Sequence, residues 1–251
     1  AISAHENWSA RLNAVIKGVV YRGSELGIEV TGIRRGWEGL THVNLEDPVS
    51  RANYILPLNK ANTRTIDRTG GTFLHTSRTN PAKMKELPEN LKGKDFPIVE
   101  ATKKGVTSKV FDVTSKVLRD LESLQLDYLV AIGGDDTLSY AARLDKEGFP
   151  VICIPKTMDN DVRNTEYCIG FSTAITRAID AIERQRTTVG SHERVGIFRV
   201  FDRDAGHTAL YTAYVGSMRC YIPEYKVDLE KLIGLLIVVL FPEIWKLRTD
   251  L

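Results

Sequence analysis

Two short polar stretches, Gly133-Gly134-Asp135-Asp136-Thr137 and Lys156-Thr157-Met158-Asp159-Asn160-Asp161, bring four carboxylates and one lysine close together in the chain. Adjacent glycines let the backbone turn tightly and approach a ligand, and a helix starting just after them offers unpaired N–H groups and the positive end of its dipole to an anion. A phosphate matches that description. Asp135 and Asp136 conflict with a bare phosphate but not with one that shares a divalent cation, since Mg²⁺ is bound through one or two carboxylates plus phosphate oxygens. The same two aspartates also read as helix caps, and the first stretch alone leaves both readings open. The second adds a compact positive charge in Lys156 and, in Asp159 and Asp161, two carboxylates able to orient or deprotonate a hydroxyl nucleophile. Phosphate cradle, metal and positioned base are the parts that phosphoryl transfer requires.

The flanking residues say what must hold these groups. Residues 128–132 and 151–154 are apolar, β-branched runs that read as buried strands, and Leu138, Ala141, Ala142 and Leu144 give the intervening helix one inward face. The unit is β-α-β, most economically a parallel pair with a right-handed crossover. Both polar stretches then lie beyond the carboxyl ends of neighbouring strands, where ligands collect in open α/β sheets.

GGDDT followed by PKTMDND resembles the phosphofructokinase family, and its pyrophosphate-dependent branch in particular: ATP-dependent relatives typically carry glycine where this chain has Asp136 and Lys156. The resemblance implies an α/β fold of two Rossmann-like three-layer α/β/α domains with mainly parallel sheets. Residues 1–170 would form the domain for pyrophosphate and Mg²⁺, and 171–251 an incomplete sugar-phosphate domain. It implies transfer of phosphate from pyrophosphate to the 1-hydroxyl of fructose 6-phosphate, a glycolytic step yielding fructose 1,6-bisphosphate. By the same resemblance Asp159 is the base, Asp161 and Thr157 orient the acceptor or the transferred group, and Asp135 holds Mg²⁺. Gly134, Asp136, Lys156 and Arg78 contact the donor, with Arg78 closing a Gly70-Gly71-Thr72…Ser77-Arg78 segment like the family's GGT…SR. Thr157, Asp159, Arg194, Phe201 and Arg203 bind the sugar phosphate. Arg194 matches an arginine that works across a subunit interface, so a homo-oligomer is expected, most simply a dimer.

Departures from the family pattern fall elsewhere. LNAVIKGVV, with Asn13, resembles the helix after the family's first phosphate loop, but His5–Arg11 before it contains no glycine. His5 and Glu6 lack a third partner for a metal and read as solvated loop. Asp202 replaces the glycine of the sugar-binding turn, Arg199 stands where a glutamate is common, and no glutamate-glycine-alanine turn or histidine-arginine clamp is recognisable after Leu235. The changed first loop, Asp202 and the absent clamp sustain a second reading, a catalytically impaired regulatory or scaffold homologue; a third, an incomplete chain of an active enzyme, does not account for internal substitutions such as Asp202.

Composition bounds the rest. With 251 residues, 43% apolar and 26% charged, the chain can bury a sizeable core, and a net charge of +2 gives no footing for nucleic acid or an anionic membrane. Three cysteines without CxxC spacing suit a reducing cytoplasm. Neither a signal peptide nor a transmembrane helix is expected, because the apolar run 232–241 is too short to span a bilayer. Periodicity predicts helices at 12–26, 107–124, 209–215 and 229–236, and another bearing Ile175, Ala178, Ile179 and Ile182. Strands are expected at 28–33 and 195–201, with a short one in 219–224. Residues 34–40 read as a loop, 59–68 as irregular chain, and 81–97 as an insertion or lid.

Overall fold

A computed structural model describes residues 2–3, 12–103, 106–200, 205–228 and 230–233. They fall into two units, 1–157 with 162–170, and 158–161 with 171–251. The segment Met158–Asp161 thus groups with the second unit, although it precedes the boundary at residue 170 read from the sequence.

In the first unit, strand β1 (Ile2–Ser3) precedes helix α1 (Leu12–Glu25), which buries Leu12, Ile16 and Val20 along one stripe. Gly27 takes φ 71°, and the amides of Leu26, Gly27 and Ile28 bond back to carbonyls of Arg22, Gly23 and Ser24. That closes the helix where its glycine predicts. Strand β2 (Val30–Ile33) leads to helices α2 (Trp37–His42) and α3 (Pro48–Tyr54), and β3 (Ile55–Leu58) returns antiparallel to β2. The loop expected over 34–40 therefore contains the start of a helix, because Trp37 and Leu40 are drawn into the core. Asp47 caps α3 by accepting from the amides of Val49 and Ser50, with Pro48 in the first turn.

Strands β4 (Ile98–Lys103) and β5 (Val106–Phe111) form an antiparallel hairpin, and helix α4 spans Thr114–Ser123. The helix predicted over 107–124 is thus wrong in its first third: residues 107–111 are strand, because pairing with 98–103 overrides a local helical period. Asp112 marks the change, its carboxylate accepting from the Thr114 amide at 3.0 Å and hydroxyl at 2.6 Å. The 81–97 segment packs on the unit through Met84, Leu91 and Phe96, which bury against Val113, and Met84 exchanges backbone hydrogen bonds with Phe111. It is an insert with its own small core, not a projecting lid.

Strand β6 (Leu129–Gly133), helix α5 (Asp135–Lys146), strand β7 (Val151–Thr157) and the short β8 (Ile169–Gly170) complete the unit. The parallel sheet runs β1-β6-β7-β8. β6 is covered on both faces: Leu129 and Ala131 join the core with Leu121, Ala141 and Leu144, while Ile132, with Val130 alongside, joins Leu12, Ile16 and Val20 of α1. Side chains alternate across a strand, so this strand is the middle of three layers. The inward face of α5 is Thr137, Tyr140, Ala141 and Leu144; Leu138 is half-buried and Ala142 exposed, correcting the predicted face toward the i, i+3, i+4, i+7 set. Tyr140 packs edge-on against Trp37 and donates to the Thr114 hydroxyl, and Arg143 pairs with Asp112 at 2.8 Å. β7 is longer than expected and less buried, with Ile152 54% exposed, because β8 pairs only with Lys156 and Thr157.

In the second unit, helix α6 (Phe171–Ser191) buries Phe171, Ala174 and Ile182, and helix α7 (His207–Val215) packs with it through an edge-on Phe171–Tyr211 contact. Residues 230–233 are helical; the rest of the 229–236 helix lies outside the described residues. The strand predicted over 195–201 is not formed at 195–200, nor is one formed at 219–222. A strand needs a neighbour, and the described residues of this unit supply none. Among the described residues no helix is long and apolar enough to cross a membrane.

Candidate functional site

The GGDDT turn and Lys156 belong to the first unit. β6 ends at Gly133, opposite Pro155 of β7, so the two strand ends lie side by side. Gly134 is the cap residue of α5, in extended geometry (φ −87°, ψ −170°) and without a side-chain capping bond. Asp135 and Asp136 are therefore not the caps that one reading of the sequence made them. They are exposed residues of the first helical turn, where a carboxylate is favoured by the helix dipole. A Cβ on Gly134 would stand 3.7 Å from the Lys156 carbonyl, which places the turn beside β7. Lys156 and Thr157 belong to β7 itself, and not to the loop after it as expected; Lys156 is only 8% exposed. Strand pairing with Ile169 and Gly170 draws them into the sheet.

A second part of this unit is held by Asn13. Its amide nitrogen donates to the Thr69 carbonyl at 3.1 Å and hydroxyl at 3.3 Å, and its oxygen accepts from the Phe73 amide at 2.7 Å. The glycine turn Gly70-Gly71 is thereby pinned between two fixed points upstream of Arg78, which is exposed. Nearby, Lys17 bonds the Arg64 carbonyl and Asp67, both at 2.8 Å, and this contact holds the Asp67 carboxyl below its usual range.

Asp159, Asp161 and Arg194 belong to the second unit. Asp159 is buried at 9% exposure, whereas Asp161 is exposed. Between them Asn160 takes φ 53°, a left-handed conformation that asparagine tolerates better than most residues. The Thr208 hydroxyl donates to the Met158 carbonyl at 2.6 Å and is itself fully buried. At the start of α7 the Gly206 amide donates to Glu224 at 2.6 Å, which depresses the Glu224 carboxyl. Arg194 is exposed after α6, its amide bonded to the Val189 carbonyl. Phe201 and Arg203 lie outside the described residues, as do His5 and Glu6.

The Gly134 turn, which leads into Asp135 and Asp136, is thus brought beside the Lys156 carbonyl in the first unit, and in the second Asp159 and Asp161 lie on one segment to which Thr208 of α7 is bonded. The clamp made by Asn13 and the bond made by Thr208 escaped sequence reasoning. Asn13, in the apolar run LNAVIKGVV, offered a signal, since a buried amide must find partners. Thr208 offered none. Among the described residues no group of three or more His, Cys, Asp or Glu could hold a metal. An Mg²⁺ ion bound largely through phosphate oxygens would need only one or two protein carboxylates.

The family profile described as Phosphofructokinase matches residues 2–237. A pyrophosphate–fructose 6-phosphate 1-phosphotransferase of Dictyoglomus thermophilum is 36% identical over 222 residues, covering 88% of this chain and 54% of that protein. An ATP-dependent 6-phosphofructokinase of Natranaerobius thermophilus is 35% identical over 226 residues, covering 90% and 60%. The T-state phosphofructokinase of Pichia pastoris superposes on 93% of the chain with a TM-score of 0.71 at 21% identity, covering 22% of that protein. The chain spans between half and two thirds of the length of the two bacterial relatives.

Proposed function

Because the chain belongs to the phosphofructokinase family, we propose that it transfers phosphate from inorganic pyrophosphate to the 1-hydroxyl of fructose 6-phosphate. The observation that carries the choice of donor is the packing of the Gly134 turn, which leads into Asp136 in the first turn of α5, against the Lys156 carbonyl of β7. Relatives of nearly equal similarity bear pyrophosphate- and ATP-dependent names, so the choice rests on these two residues. Gly134, Lys156 and Arg78 contact the donor. Asp135 would hold Mg²⁺, which when bound neutralises phosphate charge. Asp159 removes the proton from the acceptor hydroxyl, Thr157 and Asp161 orient the acceptor, and Arg194, Phe201 and Arg203 bind its sugar phosphate. The setting is cytoplasmic, with neither nucleic acid nor membrane as partner. A homo-oligomer, most simply a dimer, follows from the role given to Arg194; light scattering that finds only monomer removes it.

The deciding measurement is formation of fructose 1,6-bisphosphate by the purified chain from fructose 6-phosphate, Mg²⁺ and either pyrophosphate or ATP. Turnover with pyrophosphate is expected, falling roughly 10²–10⁴-fold in Asp159→Ala with the fold intact. No product with either donor defeats the proposal and favours a regulatory or scaffold homologue, the reading supported by Asp202 in the sugar-binding turn and by the glycine-free His5–Arg11.

A further inference from the structure

We propose that Thr208 is a positioning residue for Asp159, acting through the Met158 carbonyl. The inference rests on the reading of Asp159 as the base. A base must meet its proton within a few tenths of an ångström, and an aspartate on an irregular segment can do so only if the backbone carrying it is held. Met158–Asp161 has no helix or strand of its own. One bond that ties it to α7 comes from the Thr208 hydroxyl, 2.6 Å from the Met158 oxygen and fifty residues away in sequence.

That carbonyl shares a peptide plane with the Asp159 amide, so the bond sets the orientation of the link leading into Asp159. On the other side Asn160 turns the chain at φ 53°. Asp159 therefore sits between a peptide plane bonded to α7 and a left-handed turn at Asn160. Thr208 reaches the loop only because α7 begins at His207, immediately after Gly206, where a Cβ would lie 2.3 Å from Ile222; the close packing of residues 222–224 beneath that turn places the helix start. Thr208 touches no reacting group. Its effect is on where the aspartate is held.

The test compares the full chain with Thr208→Val, which keeps the shape and removes the donor, and Thr208→Ser, which keeps the donor. Amide hydrogen exchange at Met158–Asp161 should rise by about tenfold or more in the valine variant while exchange in α5 and α6 stays unchanged. kcat should fall about 10- to 100-fold, as expected for a small misplacement of a catalytic group. KM for fructose 6-phosphate should move by less than about twofold, because ground-state binding is untouched. Serine should restore both readouts. Unchanged exchange at 158–161, a kcat equal to the parent's, a serine variant as impaired as valine, or exchange raised throughout the unit each overturns the proposal. A parent without turnover removes the proposed reaction, and the exchange pattern alone then decides whether Thr208 holds the segment.

Discussion

Gly133 lies so close to Thr137 that a Cβ on the glycine would sit 2.5 Å from the threonine Cβ and hydroxyl. Thr137 is the first buried residue of α5, so the contact fixes how tightly the helix start is pressed against the end of β6. The two glycines of the turn thus have different jobs. Gly133 is required by packing, whereas Gly134 meets nothing closer than 3.7 Å and leaves its face of the turn open.

Gly133→Ala should therefore destabilise the chain by about 1–3 kcal/mol, since the obstructing atoms include the Thr137 Cβ and cannot swing aside. Gly134→Ala should change stability by less than about 1 kcal/mol. If a phosphate approaches that backbone, however, it should weaken donor binding. Urea unfolding of both variants, with calorimetry of pyrophosphate binding for the second, separates the roles. Equal midpoints for the two alanine variants would contradict the assignment.

Buried Lys116 supports a different prediction. Its ammonium donates to the Leu40 carbonyl at 2.6 Å, the Val43 carbonyl at 2.9 Å and Asp120 at 2.5 Å. Burial pushes Lys116 down and Asp120 up, and their mutual contact offsets both. Lys116→Met should cost up to about 3 kcal/mol, the low end for breaking a buried pair, because the partly exposed Asp120 loses its cation and the Leu40 carbonyl loses its donor. Val43 keeps Asn90 at 3.1 Å. Asp120→Asn should cost less, since Lys116 retains both carbonyls. Thermal melts giving the reverse order would mean that the pair with Asp120 inside α4 contributes more than the tie from Lys116 to the Leu40 and Val43 carbonyls at the end of α2.

What the sequence disclosed and what it hid divide along one line. Gly27 ended α1 where a helix-stopping glycine should, and the strands around GGDDT and PKTMDND were legible because their apolar runs are short and bounded by turns. Errors arose where a distant partner decides the local state. Residues 107–111 are strand because 98–103 lie beside them, and 195–200 are not strand because no described neighbour pairs with them. In the candidate site, residue types pointed to phosphate and metal chemistry, but the Asn13 clamp and the Thr208 bond join residues fifty or more positions apart. No periodicity carries that information.

Acid should loosen the start of α7. The Gly206 amide donates to Glu224 and holds its carboxyl below the ordinary 4.5. A carboxyl depressed in the folded state adds stability above its unfolded pKa and loses it as pH falls through the folded value. The contribution should thus be complete at pH 6 and decline below about pH 4.5. Glu224→Gln keeps an oxygen acceptor but cannot titrate. The stability gap between parent and variant, read by urea unfolding, should narrow between pH 6 and pH 3; a constant gap would detach Glu224 from the acid response.

Donor choice is the prediction that turns on single side chains. Asp136 stands exposed in the first turn of α5, and Lys156 lies buried near the end of β7, against whose carbonyl the Gly134 turn packs. A carboxylate at this turn adds bulk and like charge against the innermost phosphate of a nucleotide, while a lysine in the neighbouring strand offers the shorter donor a cation. Exclusion of ATP would contribute as much to specificity as attraction of pyrophosphate. Asp136→Gly should lower the ratio of kcat/KM for pyrophosphate to that for ATP, and adding Lys156→Gly should lower it further. Both changes also cost stability: the first removes a favourable charge from a helix start, worth about 0.3–1 kcal/mol, and the second places glycine in a strand. Each variant therefore needs its melting temperature measured beside its kinetics. Loss of stability alone would slow both donors alike and leave the ratio where it was. A ratio unmoved in both variants, or a parent that prefers ATP, would reduce Asp136 to a helix-dipole charge and Lys156 to a strand residue with no part in selecting the donor.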